Sequence, residues 1–121
     1  MNEFKIIIAG SRTFNNYEFL KTKINYLISN KNCDIIIVSG NAIGADRLGE
    51  RYAKEYGYKV IKYVPDWDKY GKRAGFIRNE EMAKIANAAV IFCVNKSSGS
   101  MHMIKTAKKH KLQLKEYHFR G

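Results

Sequence analysis

Hydrophobic residues recur along this chain in two alternating rhythms. Phe4–Ala9, Ile35–Val38 and Ala88–Val94 are continuous apolar runs, the pattern of strands buried on both faces. Tyr58–Val64 and Leu112–Phe119 mix lysines and other polar residues with apolar ones, as edge strands do. Between the strands the spacing becomes helical. Tyr17, Leu20, Ile24, Leu27 and Ile28 share one face, and Ala45, Leu48, Tyr52, Ala53 and Tyr56 share another. Met82, Ile85 and Ala86 mark a third helix, and Ile104 with Ala107 a fourth. Gly57 is placed to end the second helix. The single proline, Pro65, opens a long loop.

Alternating strands and helices predict a parallel sheet with helices on both faces, an α/β three-layer domain spanning residues 1–121. With the third and fifth strands as edges, the strand order becomes 3-2-1-4-5. In such a doubly wound sheet, ligands bind where the chain changes direction, at the carboxyl ends of strands one and four. The loops meeting there are Gly10–Thr13 and Asn95–Ser100.

Charge adds a second constraint. The 121 residues carry a formal net charge of +11, which favours anionic partners, whether nucleotides, nucleic acid or acidic surfaces. Much of the excess lies near the C-terminus, where Lys105, Lys108, Lys109, Lys111, Lys115 and Arg120 face Glu116 alone. That cluster reads more plainly as a solvated lysine-rich helix face. Cys33, Cys93 and three scattered histidines show no metal-ligand spacing, so neither a metal nor another cofactor is expected. The N-terminus lacks a basic region followed by a long apolar run, and no run reaches membrane-spanning length. A cytoplasmic protein without membrane contact is expected.

Four stretches carry candidate chemistry. In "GSRTF", Gly10 permits a close turn, Ser11 and Thr13 bring hydroxyls, and Arg12 brings a fork suited to phosphate. A capped turn with an exposed arginine is the plainer alternative. In "VSGNAIGAD", Ser39, Gly40, Ala42 and Gly44 keep a floor of small residues, and Asp46 stands in the first turn of a helix. Asp46 serves there as a dipole partner or as a hydrogen-bond acceptor for a sugar or base. In "DWDKYGKRAGFIRN", Trp67 and Tyr70 are candidates for base stacking, and Lys72, Arg73 and Arg78 for phosphates. Arg78 and Asn79 are expected to open the third helix, where an arginine opposes the dipole and so hints at an anion. In "NKSSGSMHMIKTA", Ser98, Gly99 and Ser100 precede a helix and suit either an anion nest or a simple cap.

Taken in order, "IAGSRTF", "VSGNAIGADRLGERYA", "DWDKYGKRAGFIRNEEMA" and "SGSMHMIKTA" resemble the YspA/YpsA-related branch of the SMF/DprA–LOG (SLOG) superfamily over nearly the whole chain. The resemblance implies a Rossmann-like sheet and a site for a nucleotide or nucleotide-derived ligand that is sensed or sequestered. Two relatives within the superfamily offer alternatives. LOG phosphoribohydrolases carry a catalytic glutamate before the last helix, and the matching position here is Met103. A thioether cannot replace a carboxylate in that chemistry. Arg78 does match the LOG arginine, so the phosphate cradle is expected to outlast the reaction unless Asp46, Glu50 or His102 takes over. DprA contains a segment like Ser39–Asp46, followed by segments like Arg78-Asn79 and Ser98–Met101, and it binds single-stranded DNA. The LOG comparison also allows a homodimer, with Tyr52 or Tyr56 at its interface.

Overall fold

The continuous apolar runs form the centre of a parallel sheet. In the computed structural model, which describes residues 2–121, β1 (Glu3–Gly10) pairs with both β2 (Asp34–Ser39) and β4 (Ala88–Val94). The lysine-bearing strands close the edges: β3 (Lys59–Lys62) beside β2, and β5 (Gln113–Phe119) beside β4. The order is β3-β2-β1-β4-β5, with every pairing parallel, as the alternation of apolar patterns predicts.

Successive residues of the central strands feed opposite cores, because strand side chains alternate between faces. Ile6, Ile8, Ile37 and Phe92 pack with Leu20 and Ile24 of α1 (Tyr17–Ile28) and Tyr52 of α2 (Ala45–Tyr56). On the other face, Ile7, Val38 and Ile91 pack with two more helices. Those are α4 (Ala74–Ile85), through Met82 and Ala83, and α5 (Ser98–Lys109), through Met103 and Ile104. Local signals set the helix limits. Asn16 caps α1 by accepting from the Phe19 amide, and Gly57 ends α2 in the left-handed conformation.

The stretch after Pro65 differs from the expected loop. Asp66 caps a single helical turn, α3 (Trp67–Tyr70), by accepting from the Lys69 amide. A 3-10 turn over Gly71–Arg73 then leads directly into α4. Arg78 and Asn79 therefore lie in the second turn of α4 and do not open it. The dipole argument for an anion at Arg78 falls with that placement, and its charge finds another explanation in the site.

Tyr52 also departs from expectation. It is fully buried, and its hydroxyl donates to Asn25 Oδ1 at 2.6 Å, so its side chain belongs to the core and not to the surface. Tyr56 remains on the surface. Among the described residues, no helix is long and apolar enough to cross a membrane.

Candidate functional site

Ser11 joins three of the loops at the carboxyl edge of the sheet. Its amide donates to Phe92 O at 3.0 Å, and its carbonyl accepts from Phe14 and from Ala45, the first residue of α2. Its hydroxyl accepts from the Val94 amide at 2.8 Å and meets the hydroxyls of Ser97 and Ser100. Ser97 occupies the cap position of α5, yet its side chain turns to Ser11 and Ser100 and does not cap the helix. The first amides of α5 are thus left without a side-chain cap. Buried Ser11 and Ser100 shape the floor of the site, while Arg12 is exposed at its rim.

The second loop is built around close approaches. Gly44 has φ +91°, and a Cβ there would run into the Ser11 and Arg12 carbonyls. At Gly40 a Cβ would overlap the Arg78 guanidinium and stand 2.7 Å from Asp46 Oδ2. Arg78 reaches across from α4, donating through Nη1 to Gly40 O at 2.5 Å and through Nε to Asn79 Oδ1 at 3.1 Å. Ser39 is buried beneath the loop, where its hydroxyl accepts from the Asn41 amide and donates to Glu50.

Asp46 is 4% exposed and accepts from the Ala42 amide at 3.3 Å. Burial pushes its carboxyl up to about 6, against the opposing pull of Arg78 and the Ala42 and Gly10 amides. Arg78 is shifted down by the same burial and supported by Asp46. The two charges thus stabilise each other beneath the loop.

Asn79 extends this arrangement. Arg78 Nε can only donate, so it fixes the Asn79 carbonyl toward itself and leaves the amide nitrogen facing His102 Nδ1 at 3.1 Å. Neutral His102 then accepts at Nδ1 and carries its proton on Nε2. Burial lowers its pKa; Lys105 and Lys109 push in the same direction and Glu80 opposes them. The His102 ring stacks on Phe76, with centroids 4.1 Å apart and planes 14° from parallel.

Above this network lies a cavity of about 390 Å³. Gly10, Ser11 and Arg12 line one side, Ser97–Ser100 and Asn79 another, and Ala42 a third. Trp67, Lys72, Gly75 and Phe76 complete the wall. Trp67 is 55% exposed and Phe76 43% exposed, so both rings present accessible apolar surface to the cavity. Among the described residues, no aspartate or glutamate lines it.

The structure therefore brings together Gly10, Ser11, Arg12, Ala42, Asn79, Ser98, Gly99 and Ser100, with Trp67 and Lys72 beside them. Ser39, Gly40, Gly44, Asp46 and Arg78 support the loops from behind. Thr13 and Arg73 are exposed but do not line the cavity, and Glu50 lines a different groove. Met103, at the position of the LOG glutamate, is 1% exposed and packed in the core. Sequence reasoning missed Ser97, Gly75 and Phe76. Ser97 carried the signal of a serine just before a helix. Phe76 carried none, since an apolar residue in the first turn of α4 reads in sequence as a core position.

The strand order β3-β2-β1-β4-β5, with its reversal between β1 and β4, defines a doubly wound α/β fold. The profile of the YspA, cpYpsA-related SLOG family matches residues 4–70, and the chain belongs to that family. Gene 61 protein of Mycobacterium phage D29 is 28% identical over 111 residues, covering 87% of this chain and 89% of its own. Two solved structures share the fold. DNA processing protein A from Streptococcus pneumoniae superposes with a TM-score of 0.75 at 19% identity, covering 93% of this chain and 50% of its own. The Helicobacter pylori protein, described for its single-stranded DNA binding mode, gives 0.68 at 21%, covering 93% and 64%. The chain thus spans about half to two-thirds of the length of these structural relatives.

Proposed function

We propose that this protein binds a phosphate-bearing nucleotide, or a ligand derived from one, in the cavity at the carboxyl edge of the sheet, and holds it without turnover. One observation carries the reading. Trp67 and Phe76 offer two exposed aromatic surfaces in the same cavity as Arg12, Lys72 and the uncapped start of α5. Apolar rings suit a base, while cations and free amides suit phosphate. The volume lies within the range of small-ligand pockets. What supports holding without turnover is Met103, which stands at the position of the LOG glutamate and is sealed in the core. Sensing and sequestration are the functions compatible with such binding.

A thermal-shift series tests the reading with nucleoside monophosphates, nucleoside diphosphates, ADP-ribose and inorganic phosphate. At about a hundred times its dissociation constant, a true ligand adds about 2.7 kcal/mol of stability. A shift with one nucleotide class, lost in Arg12→Ala and Lys72→Ala, is expected. No shift with any phosphate-bearing nucleotide overturns the reading. Release of free base from a bound nucleotide overturns binding without turnover.

A second reading is contact with single-stranded nucleic acid, favoured by the net charge of +11. The fold shared with the Helicobacter pylori protein, whose description includes single-stranded DNA binding, is consistent with it. This reading is separable from the first by its steep dependence on salt.

A further inference from the structure

The groove that holds Glu50 lies outside the cavity, between α2 and β3, and encloses about 530 Å³. Four cations line it: Arg47, Arg51 and Lys54 from α2, and Lys62 from β3. Glu50 is its single carboxylate and is already engaged by the Ser39 hydroxyl at 2.6 Å and Lys62 at 3.6 Å. Positive charge therefore remains in excess.

The cations form a row. Residues at i, i+4 and i+7 share one helix face, and the helical rise spaces Arg47, Arg51 and Lys54 by about 6 and about 4.5 Å. That is the scale of a nucleotide step. Arg51 is braced by the Tyr17 ring, 3.8 Å from its guanidinium carbon. At the far end of the row, Tyr58 lines the groove, and the exposed Tyr56 ring lies nearly parallel to it, 6.2 Å away with planes 15° apart. At the near end, Arg47 donates to Asn41 O, next in sequence to Ala42 in the cavity wall.

We propose that this groove is a second binding surface, which tracks the sugar-phosphate backbone of a single-stranded nucleic acid and leads it toward the cavity. A cationic track at nucleotide spacing, with the half-buried Tyr58 in its lining and the partly exposed Tyr56 beside it, suits a single-stranded backbone held without reading its sequence. An acidic protein segment would use the charges but has no phosphate repeat to match the spacing of the row. The proposal rests on the single-stranded nucleic-acid reading and is independent of the small-ligand one.

Fluorescence anisotropy with a labelled oligothymidylate, titrated at several salt concentrations, tests it. The double substitution Lys54→Gln/Lys62→Gln changes two exposed side chains. It is expected to weaken binding about tenfold at low salt and to flatten the salt slope by about 1.4, or about 0.7 for each phosphate released. The thermal shift given by a cavity ligand should persist in this variant. Unchanged affinity and slope in the double variant, with binding lost in Arg12→Ala, would overturn the groove and leave single-strand contact at the cavity standing. No oligonucleotide binding by the wild-type protein would overturn both. Equal binding of poly-glutamate would reassign the groove to acidic surfaces in general.

Discussion

The Arg78 guanidinium and the Asp46 carboxylate close over the same α-carbon, that of Gly40. One comes from the second turn of α4 and the other from the first turn of α2, so this meeting ties the two helical layers together across the edge of the sheet. Arg78 also donates to Gly40 O, which places a charged hydrogen bond inside the loop. Removing either charge leaves the other poorly compensated in a half-dry setting.

Arg78→Ala should therefore cost stability, by about 2–3 kcal/mol, the usual scale for losing a hydrogen bond to a charged group. The expectation drawn from Arg78 as a helix-opening phosphate ligand is different: weaker binding in an intact fold. In an Asp46→Asn background the cost of Arg78→Ala should fall, because no buried carboxylate is then abandoned. Denaturant unfolding of the four proteins of this cycle measures the difference as a coupling energy. Equal costs in both backgrounds would mean that the two charges do not sense each other.

The same pair fixes a pH dependence. Asp46 titrates at about 6 in the folded protein and near 3.8 when unfolded. Between these values the folded state binds more protons, so stability falls as pH rises from about 4 to 6 and stays lower above. Glu80 acts in the opposite direction: Lys109 and His110 hold it down to about 2, so its contribution is lost as pH falls below the ordinary carboxylate range. Its window therefore lies mainly below that of Asp46. His102, shifted down by burial, loses stability as pH falls through its ordinary value of about 6.5, and so overlaps the upper part of the Asp46 window. Comparing wild type with Asp46→Asn isolates the carboxylate. The stability difference between the two should move by about 2 kcal/mol between pH 4 and 7, with the wild type losing ground as pH rises. A difference that stays flat would show that Asp46 ionises freely in the folded protein.

Adjacent residues in the first loop should separate stability from binding. Ser11→Ala removes the acceptor of the buried Val94 amide and breaks the contacts to Ser97 and Ser100, at a cost of about 1–3 kcal/mol. Arg12 is exposed and, among the described residues, forms no ion pair. Arg12→Ala should change stability by less than about 0.5 kcal/mol while weakening ligand affinity. Thermal melts with and without ligand read both effects. A destabilised Arg12→Ala variant would place that side chain in the scaffold.

How far the sequence reveals these features depends on the range of the forces involved. Strand order follows from which runs are wholly apolar and which carry lysines, because burial on two faces leaves a continuous mark. The loops at Gly10 and Gly40 are legible for a similar reason: only small residues permit their close approaches. The start of α4 is hidden. Local propensity gives little sign that Gly71–Arg73 would form a 3-10 turn feeding directly into a helix. With the helix beginning at Ala74, Phe76 lies in its first turn and Arg78 in its second, where one lines the cavity and the other reaches Gly40 O. The roles of Ser11 and Ser100 are hidden for another reason. A buried hydroxyl that binds neighbouring loops and one that awaits phosphate look alike until their partners are known.

The aromatic wall gives the last prediction. Phe76 stacks on His102, and His102 is held by Asn79, so its ring is braced from behind while its other surface stays open. Trp67 approaches across Gly75, where a Cβ would stand 3.8 Å from Trp67 Cη2. If these rings take a base, Phe76→Ala and Trp67→Ala should weaken a nucleotide by about 1–3 kcal/mol each, the scale of base–aromatic stacking. Neither should alter the affinity for inorganic phosphate, which touches only the cations and the start of α5. Calorimetric titration of both ligands into both variants makes the comparison. Equal losses for phosphate and nucleotide would mean that the rings shape the loop and do not hold a base. A loss confined to the nucleotide would assign the base to this wall and the phosphate to the serine-lined side opposite.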